Sequence, residues 1–303
     1  MKFLCLGGDL RTIKLVQMLK EDNHEVCTYG LEKAVKCGKD DLCKALERII
    51  ESDINGAELE NSKKQQTDKF ETIIGPIPFT KDGEKLNSPF SEKEIYIKDL
   101  FPMLKEKTLI AGPISPKMKE ELKKNKTRVI DIMEIEELVI YNTIATAEGA
   151  IKVAIENTEI NLHGSKILIL GFGKVAKTLA YKLKGLSAEV TCAARRSSDL
   201  SWIETLGYEV QNINKLGKGL EKYDIIFNTV PQIILTESEL RCIKKEALIV
   251  DLASKPGGVD QQKIKEMGMK YVWALALPGK IAPLASAKYI RDTIYSVIKA
   301  FEK

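Results

Sequence analysis

Short apolar runs alternate with amphipathic stretches along most of this chain. Lys2–Leu6 is apolar after its first residue, residues 10–20 repeat apolar side chains at Ile13, Val16 and Leu19, and Glu25–Tyr29 is a second apolar run. The two runs read as strands, and the helical spacing between them predicts a helix. Further strands are predicted at 71–74, Thr108–Ala111 and 129–132. Residues 141–158 predict one helix, from Ile144, Ala147, Ile151, Ala154 and Ile155 at helical spacing. A second alternating series follows, with strands expected at Lys166–Leu170, 189–193, 225–229, 248–252 and 271–274. A last helix starts at Pro283, with Leu284, Ala287, Ile290, Ile294, Val297 and Phe301 on one stripe.

Alternation of this kind implies parallel sheets covered by helices, because parallel neighbours need a crossover connection. The expected fold class is α/β, with two doubly wound parallel-sheet domains joined by bridging helices. Residues 1–140 form a flavodoxin- or Rossmann-like substrate domain, 141–160 a bridging helix, 161–282 a Rossmann domain, and 283–303 a helix returning to the first domain. The cleft between the domains is the expected substrate site. Residues 53–69 are polar and read as a surface excursion, and 80–92, carrying Gly83, Asn87 and Pro89, read as a long loop of the kind that lines a site.

Composition narrows the class. With 303 residues, 44% hydrophobic and 30% charged, the chain holds enough apolar material for two packed cores. The net charge of +4 is too small to argue for nucleic acid. No apolar run approaches the roughly 18 residues of a membrane span, and the N-terminal run lacks the features of a signal peptide. A cytoplasmic protein without a membrane partner is expected. The six cysteines, at 5, 27, 37, 43, 192 and 242, form no C-x-x-C pair, so buried reduced thiols are expected rather than a metal or disulfides.

The sharpest local signal follows the strand Lys166–Leu170. Gly171-Phe172-Gly173-Lys174-Val175-Ala176 is G-x-G-x-x-A, and helical spacing resumes at Val175, Leu179 and Leu183. Strand, tight turn and helix are the context that a dinucleotide fingerprint requires. Gly171 permits the turn, Gly173 lets the backbone approach a pyrophosphate, and Ala176 lets helix and strand pack closely. The helix N-terminus offers free N–H groups to phosphate. Where an NAD enzyme carries Asp or Glu for the ribose, the next strand instead runs into Arg195-Arg196-Ser197-Ser198. Guanidinium and hydroxyl donors suit a 2′-phosphate, which points to NADP, with NAD possible. Gly7-Gly8-Asp9 occupies the equivalent turn of the first domain, lacks the third small residue, and reads as a structural turn.

Ligands of doubly wound sheets sit at the carboxyl ends of strands. There the sequence places Asn228, Thr229, Val230 and Pro231, then Leu252, Ala253, Ser254 and Lys255, then Pro278 and Lys280. These join the fingerprint, Arg195, Arg196 and Ser197 as the expected cofactor-binding set, with Lys255 or Lys280 available to a substrate carboxylate. The two histidines, His24 and His163, lie away from these ends, so the acid/base pair of a hydroxy-acid dehydrogenase is not visible.

Tyr141-Asn142-Thr143-Ile144-Ala145-Thr146-Ala147-Glu148-Gly149, His163-Gly164-Ser165-Lys166, Gly171-Phe172-Gly173, Asp251-Leu252-Ala253-Ser254-Lys255-Pro256-Gly257-Gly258 and Leu277-Pro278-Gly279-Lys280-Ile281-Ala282-Pro283, in this order, resemble the family of dipicolinate synthase A-subunits. Gly7-Gly8-Asp9 with Arg11 fits it too. The resemblance covers nearly the whole chain and is weakest around 53–69. It implies a spore-forming bacterium, oxidation of dihydrodipicolinate to dipicolinate on a branch of the lysine pathway, a nicotinamide acceptor, a flavoprotein-like dipicolinate synthase B-subunit as partner, and the mother-cell cytosol during sporulation. An oligomer is expected. Aromatisation drives the reaction, so a strong acid/base dyad is less needed. A dianionic substrate calls for Arg11, Lys255 and Lys280 as carboxylate partners, with Thr143, Thr146 and Ser254 as hydroxyl partners. Glu148, beside those threonines, is the candidate base, and Lys255 and Lys280 complete the catalytic set. Two other readings stay open: another dehydrogenase of a small acid on this scaffold, and a non-catalytic nucleotide-binding scaffold for the flavoprotein.

Overall fold

In a computed structural model, which describes residues 1–34, 70–217 and 219–301, the apolar runs form two separate parallel sheets. The chain divides into one unit of Met1–Val139 with Ala282–Lys303 and a second of Ile140–Ile281. The polar stretch 53–69, Cys37 and Cys43 lie outside the described residues.

The first unit contains β1 (Lys2–Leu6), β2 (Glu25–Tyr29), β3 (Thr72–Ile74), β4 (Thr108–Ala111) and β5 (Arg128–Asp131) in the order β2-β1-β3-β4-β5. That is the doubly wound order of flavodoxin-like sheets. Both faces are covered. Leu4 and Leu6 face one apolar cluster while Phe3 and Cys5 face another, as the two-residue period of a strand dictates. The helix Leu10–Glu21 packs on the helix Pro283–Phe301 through Leu15, Val16, Leu19, Ala287, Ile290 and Ile294. The expected stripe is too long at both ends: Leu284 is 58% and Phe301 45% exposed. Ser286 and Thr293 take buried positions instead, and Thr293 satisfies its hydroxyl on the carbonyl of Tyr289 at 2.8 Å. Phe301 stacks beneath the Arg128 guanidinium, 3.6 Å from the ring centroid.

The second unit contains β6 (Lys166–Leu170), β7 (Glu189–Ala194), β8 (Glu209–Asn212), β9 (Ile225–Asn228), β10 (Leu248–Asp251) and β11 (Lys270–Trp273). All pairs are parallel, in the order β11-β10-β9-β6-β7-β8. This is the six-stranded Rossmann order, with the chain reversing direction across the sheet between β6 and β9. Ile167, Ile169, Ile225 and Phe227 face one cluster, and Leu168, Leu170 and Ile226 the other. The apolar pattern does not reveal β8. Its sequence Glu-Val-Gln-Asn is polar because it is an edge strand that pairs only with β7.

The helix Glu136–Glu156 begins ahead of the predicted 141, with Glu136 and Glu137 in its first turn, where acidic groups complement the helix dipole. Among the described residues it alone is long and apolar enough to cross a membrane by length and composition. Its Ala147, Ala150 and Ala154 are buried in the second unit's core.

Candidate functional site

At the end of β6 the backbone turns at Gly171 with φ of +100°, and a Cβ there would sit 2.4 Å from the Thr229 hydroxyl. That glycine is required by the protein itself. Gly173 is different. Its φ is −80°, any residue can adopt it, and a Cβ would meet no atom within 4 Å. Gly173 is exposed and caps the 12-residue helix Lys174–Gly185 with no side-chain bond to the free N–H groups. Neither backbone strain nor packing calls for glycine here. Ala176, fully buried, packs the helix onto the sheet. The turn in the first unit shows the contrast: a Cβ on Gly8 would lie 2.0 Å from the Thr12 hydroxyl, and one on Gly7 2.9 Å from Ser88. Those two glycines are explained by packing, and the segment 80–92 folds over them, with Gly8 N–H donating to the Asn87 carbonyl at 2.8 Å.

Beside the Gly171 turn, a cleft of about 310 Å³ is lined by Gly171, Phe172, Ala194, Arg195, Arg196 and Val230. Five more lining residues, Asp199, Ile213, Asn214, Gln232 and Ile234, were not singled out from sequence. Arg195 is exposed and forms no hydrogen bond or ion pair among the described residues. Arg196 donates from Nε to Asp199 Oδ2 at 2.8 Å and from Nη2 to Oδ1 at 3.3 Å. Ser197 opens the helix Ser197–Thr205, exposed like Lys174, while Val175 is half-buried in the first turn after the fingerprint.

The loops after β9 and β10 are locked together from below. Asn228 and Asp251 are both 0% exposed. Asn228 Nδ2 donates to Asp251 Oδ1 at 2.7 Å and to the Val230 carbonyl at 3.0 Å. Asp251 also accepts from Ala253 N–H at 3.0 Å and Gly258 N–H at 2.8 Å. A Cβ on Gly258 would lie 2.0 Å from Asn228 Nδ2. Trp273 Nε1 donates to the Ala253 carbonyl at 2.8 Å. Asn228 therefore shapes the rim and does not face the cleft, a correction to its expected role. Thr229 likewise turns its N–H and hydroxyl onto the Leu170 carbonyl, both at 2.9 Å. Pro231, Ser254 and Lys255 are exposed on these loops, and Leu252 is half-buried beside the buried Ala253.

Several of the residues expected to act on substrate have other partners. Glu148 accepts from Lys182 Nζ at 2.9 Å. Lys182 lies eight residues beyond the start of its helix, about 12 Å along the axis from the fingerprint turn. One carboxylate oxygen of Glu148 is thus occupied by Lys182. Glu148→Gln should cost at most about 1 kcal/mol of stability, since the pair is partly exposed, and leave dinucleotide affinity unchanged in a titration. Thr143 is buried, donates to the Ile140 carbonyl at 2.7 Å and shares a 2.7 Å hydrogen bond with Thr178. Thr146 donates to the Asn142 carbonyl at 2.8 Å. Both hydroxyls serve helices. Gly149 admits the helix Leu277–Ile281, whose Leu277 Cβ would be 3.0 Å from an added Cβ. Pro278 is half-buried in that helix and Lys280 is exposed. Arg11, in the first unit, is buried and grips Asp9 through Nε at 3.0 Å and Nη2 at 2.8 Å, with Nη2 also on the Ile77 carbonyl. Its Nη1 makes no bond among the described residues.

Burial pushes the Cys5 and Cys192 thiols up to about 12. Neither is a nucleophile at neutral pH, and both should resist a thiol reagent until the chain is unfolded. No cluster able to hold a metal ion occurs among the described residues.

Known proteins share this geometry. Residues 2–133 match the family model of the N-terminal domain of dipicolinate synthase A-subunits. The chain is 28% identical to the A-subunit of dipicolinate synthase from Bacillus subtilis strain 168, across 98% of this chain and 96% of that one. The crystal structure of the dipicolinate synthase A-subunit from Bacillus halodurans superposes with a TM-score of 0.81 at 26% identity, covering 98% of this chain and 97% of that one. Along nearly its whole length the chain is similar to dipicolinate synthase A-subunits. Residues 152–274 match the shikimate / quinate 5-dehydrogenase model. An L-alanine dehydrogenase shares the fold at 15% identity, with a TM-score of 0.62 over 98% of this chain and 89% of that one.

The second unit is thus a dehydrogenase-like Rossmann domain. What sequence reasoning missed around its cleft had weak signals. Ile213 and Asn214 follow the polar edge strand β8, and Gln232 and Ile234 lie in a loop. Asp199, three residues after Arg196 at a helix start, was legible as an ion-pair partner.

Proposed function

We propose that this chain oxidises dihydrodipicolinate to dipicolinate with NADP, accepting NAD as well, as one subunit of a synthase whose other subunit is flavoprotein-like. The observation that carries the dinucleotide reading is Gly173, a helix-capping glycine that neither its own backbone nor its surroundings require. Bound NADP supplies the hydride acceptor. The residues that fit it are Gly171 to Ala176 for the pyrophosphate, Arg195, Arg196 and Ser197 for the 2′-phosphate, and the Val230, Pro231, Leu252, Ala253, Ser254 and Pro278 segments toward the nicotinamide. Oxidation removes one hydride and one proton from the dihydropyridine, and the aromatic ring gained drives it. Lys255 and Lys280, both exposed with no ion pair among the described residues, are the cations offered to the substrate carboxylates, and Arg11 Nη1 is a further one in the first unit.

The experiment is absorbance at 340 nm with the purified chain, NADP⁺ and freshly generated dihydrodipicolinate, with and without the second subunit. NADPH and dipicolinate formed by the chain alone is the expected result. Tight dinucleotide binding with no turnover in either mixture would remove the substrate assignment. A second reading, a nucleotide-binding scaffold whose partner performs the redox step, is favoured by three observations. Glu148 is tied to Lys182, His24 packs edge-on to Phe3 and Tyr295 in the first unit, and His163 precedes the amino end of β6. Product that depends on the partner's flavin, with Gly173 dispensable, would establish that reading.

A further inference from the structure

The cleft carries one residue that works against the 2′-phosphate. Asp199 lines it with Arg195 and Arg196, its side chain 17% exposed against 72% for Arg196. It sits in the first turn of the helix Ser197–Thr205, its N–H on the Arg196 carbonyl at 3.0 Å. The pair is side-on: Arg196 presents Nε and Nη2 to the two carboxylate oxygens. That edge is one of the two bidentate edges by which a guanidinium grips a phosphate. Arg195 is left as the guanidinium of the cleft with no partner among the described residues.

We propose that Asp199 sets the dinucleotide preference of this chain by competing with the 2′-phosphate for Arg196, so that the pocket takes both NADP and NAD with only a modest preference for the first. The proposal rests on the dinucleotide reading above and goes further, to the residue that limits its selectivity. A phosphate entering the cleft must share Arg196 with a carboxylate or displace it, and it meets that carboxylate's charge at close range. A 2′-hydroxyl meets no repulsion and finds an acceptor in Asp199.

The test is titration of the full chain with NADPH and with NADH, for the parent, Asp199→Asn, Asp199→Glu, Arg196→Ala and the Asp199→Asn/Arg196→Ala double variant. Freeing the Nε and Nη2 edge of Arg196 for the phosphate should tighten NADPH binding in Asp199→Asn about tenfold. NADH should stay within about twofold. Asp199→Glu keeps the charge and should keep the parent preference. The double variant should lose most of the gain, because the gain is made through Arg196. Weaker or unchanged NADPH binding in Asp199→Asn, an equal change for NADH, or a gain that survives without Arg196 would overturn the proposal while leaving the dinucleotide site standing. A parent chain that binds neither dinucleotide would bring down the nucleotide reading, and this proposal with it.

Discussion

Gly173→Asp should leave the chain folded and at least as stable as the parent, while weakening NADPH binding by more than about a hundredfold. Two features of Gly173 set these opposite signs. As the N-cap of Lys174–Gly185 it makes no side-chain bond to the helix N–H groups, and Asp is a better N-cap than Gly by a few tenths of a kcal/mol. An added Cβ meets nothing within 4 Å, so the fold does not object. A pyrophosphate would need that open space and those N–H groups, and a carboxylate placed at the turn would occupy both and repel the ligand's charge. Thermal melting and a fluorescence titration of bound NADPH read the two effects separately. A variant that binds NADPH like the parent would show that the glycine turn holds no phosphate. Gly8→Asp gives the reverse control: its Cβ would run into the Thr12 side chain at 2.0 Å, so stability should fall.

Asp251→Ala should cost about 3 kcal/mol, since each buried donor left without its acceptor costs about 1–3 kcal/mol. Asp251 accepts from Asn228, Ala253 and Gly258; the two backbone N–H groups would lose this acceptor, and Asn228 Nδ2 would keep only the Val230 carbonyl. The same acceptor joins the loops after β9 and β10, so both loops should loosen as the stability falls. Urea denaturation checks the first effect, and proteolysis within residues 252–258 the second. A loss below about 1 kcal/mol, within the range of a single ordinary hydrogen bond, would mean that the loops hold their shape without Asp251. Gly258→Ala should behave similarly, because its Cβ is directed at Asn228 Nδ2 at 2.0 Å.

Much of the sheet architecture was legible along the chain, and the reason is physical. Strands of a doubly covered parallel sheet are buried on both faces, so Lys2–Leu6, Thr108–Ala111 and Lys166–Leu170 appear as unbroken apolar runs whose ends coincide with β1, β4 and β6. β8 escaped because an edge strand has only one neighbour and needs no such run. The fingerprint was legible because glycine is an absence that few structural demands explain. Side-chain partnerships were not legible. Glu148 and Lys182 are 34 residues apart, Asn228 and Asp251 are 23 apart, and sequence periodicity carries no information about such pairs.

By itself, then, the sequence determined the alternation of strands and helices, the position of the glycine turn, and the absence of histidine from the strand ends, since each depends on local pattern or on residue identity. Only the tertiary structure decided which of those residues are free. It committed Glu148 to Lys182, Thr143 to Thr178 and Ile140, and Asn228 to Asp251, and it put Asp199 against Arg196 in the cleft. Whether a polar group has a partner depends on what the fold brings within about 3 Å of it, and spacing along the chain does not specify that distance.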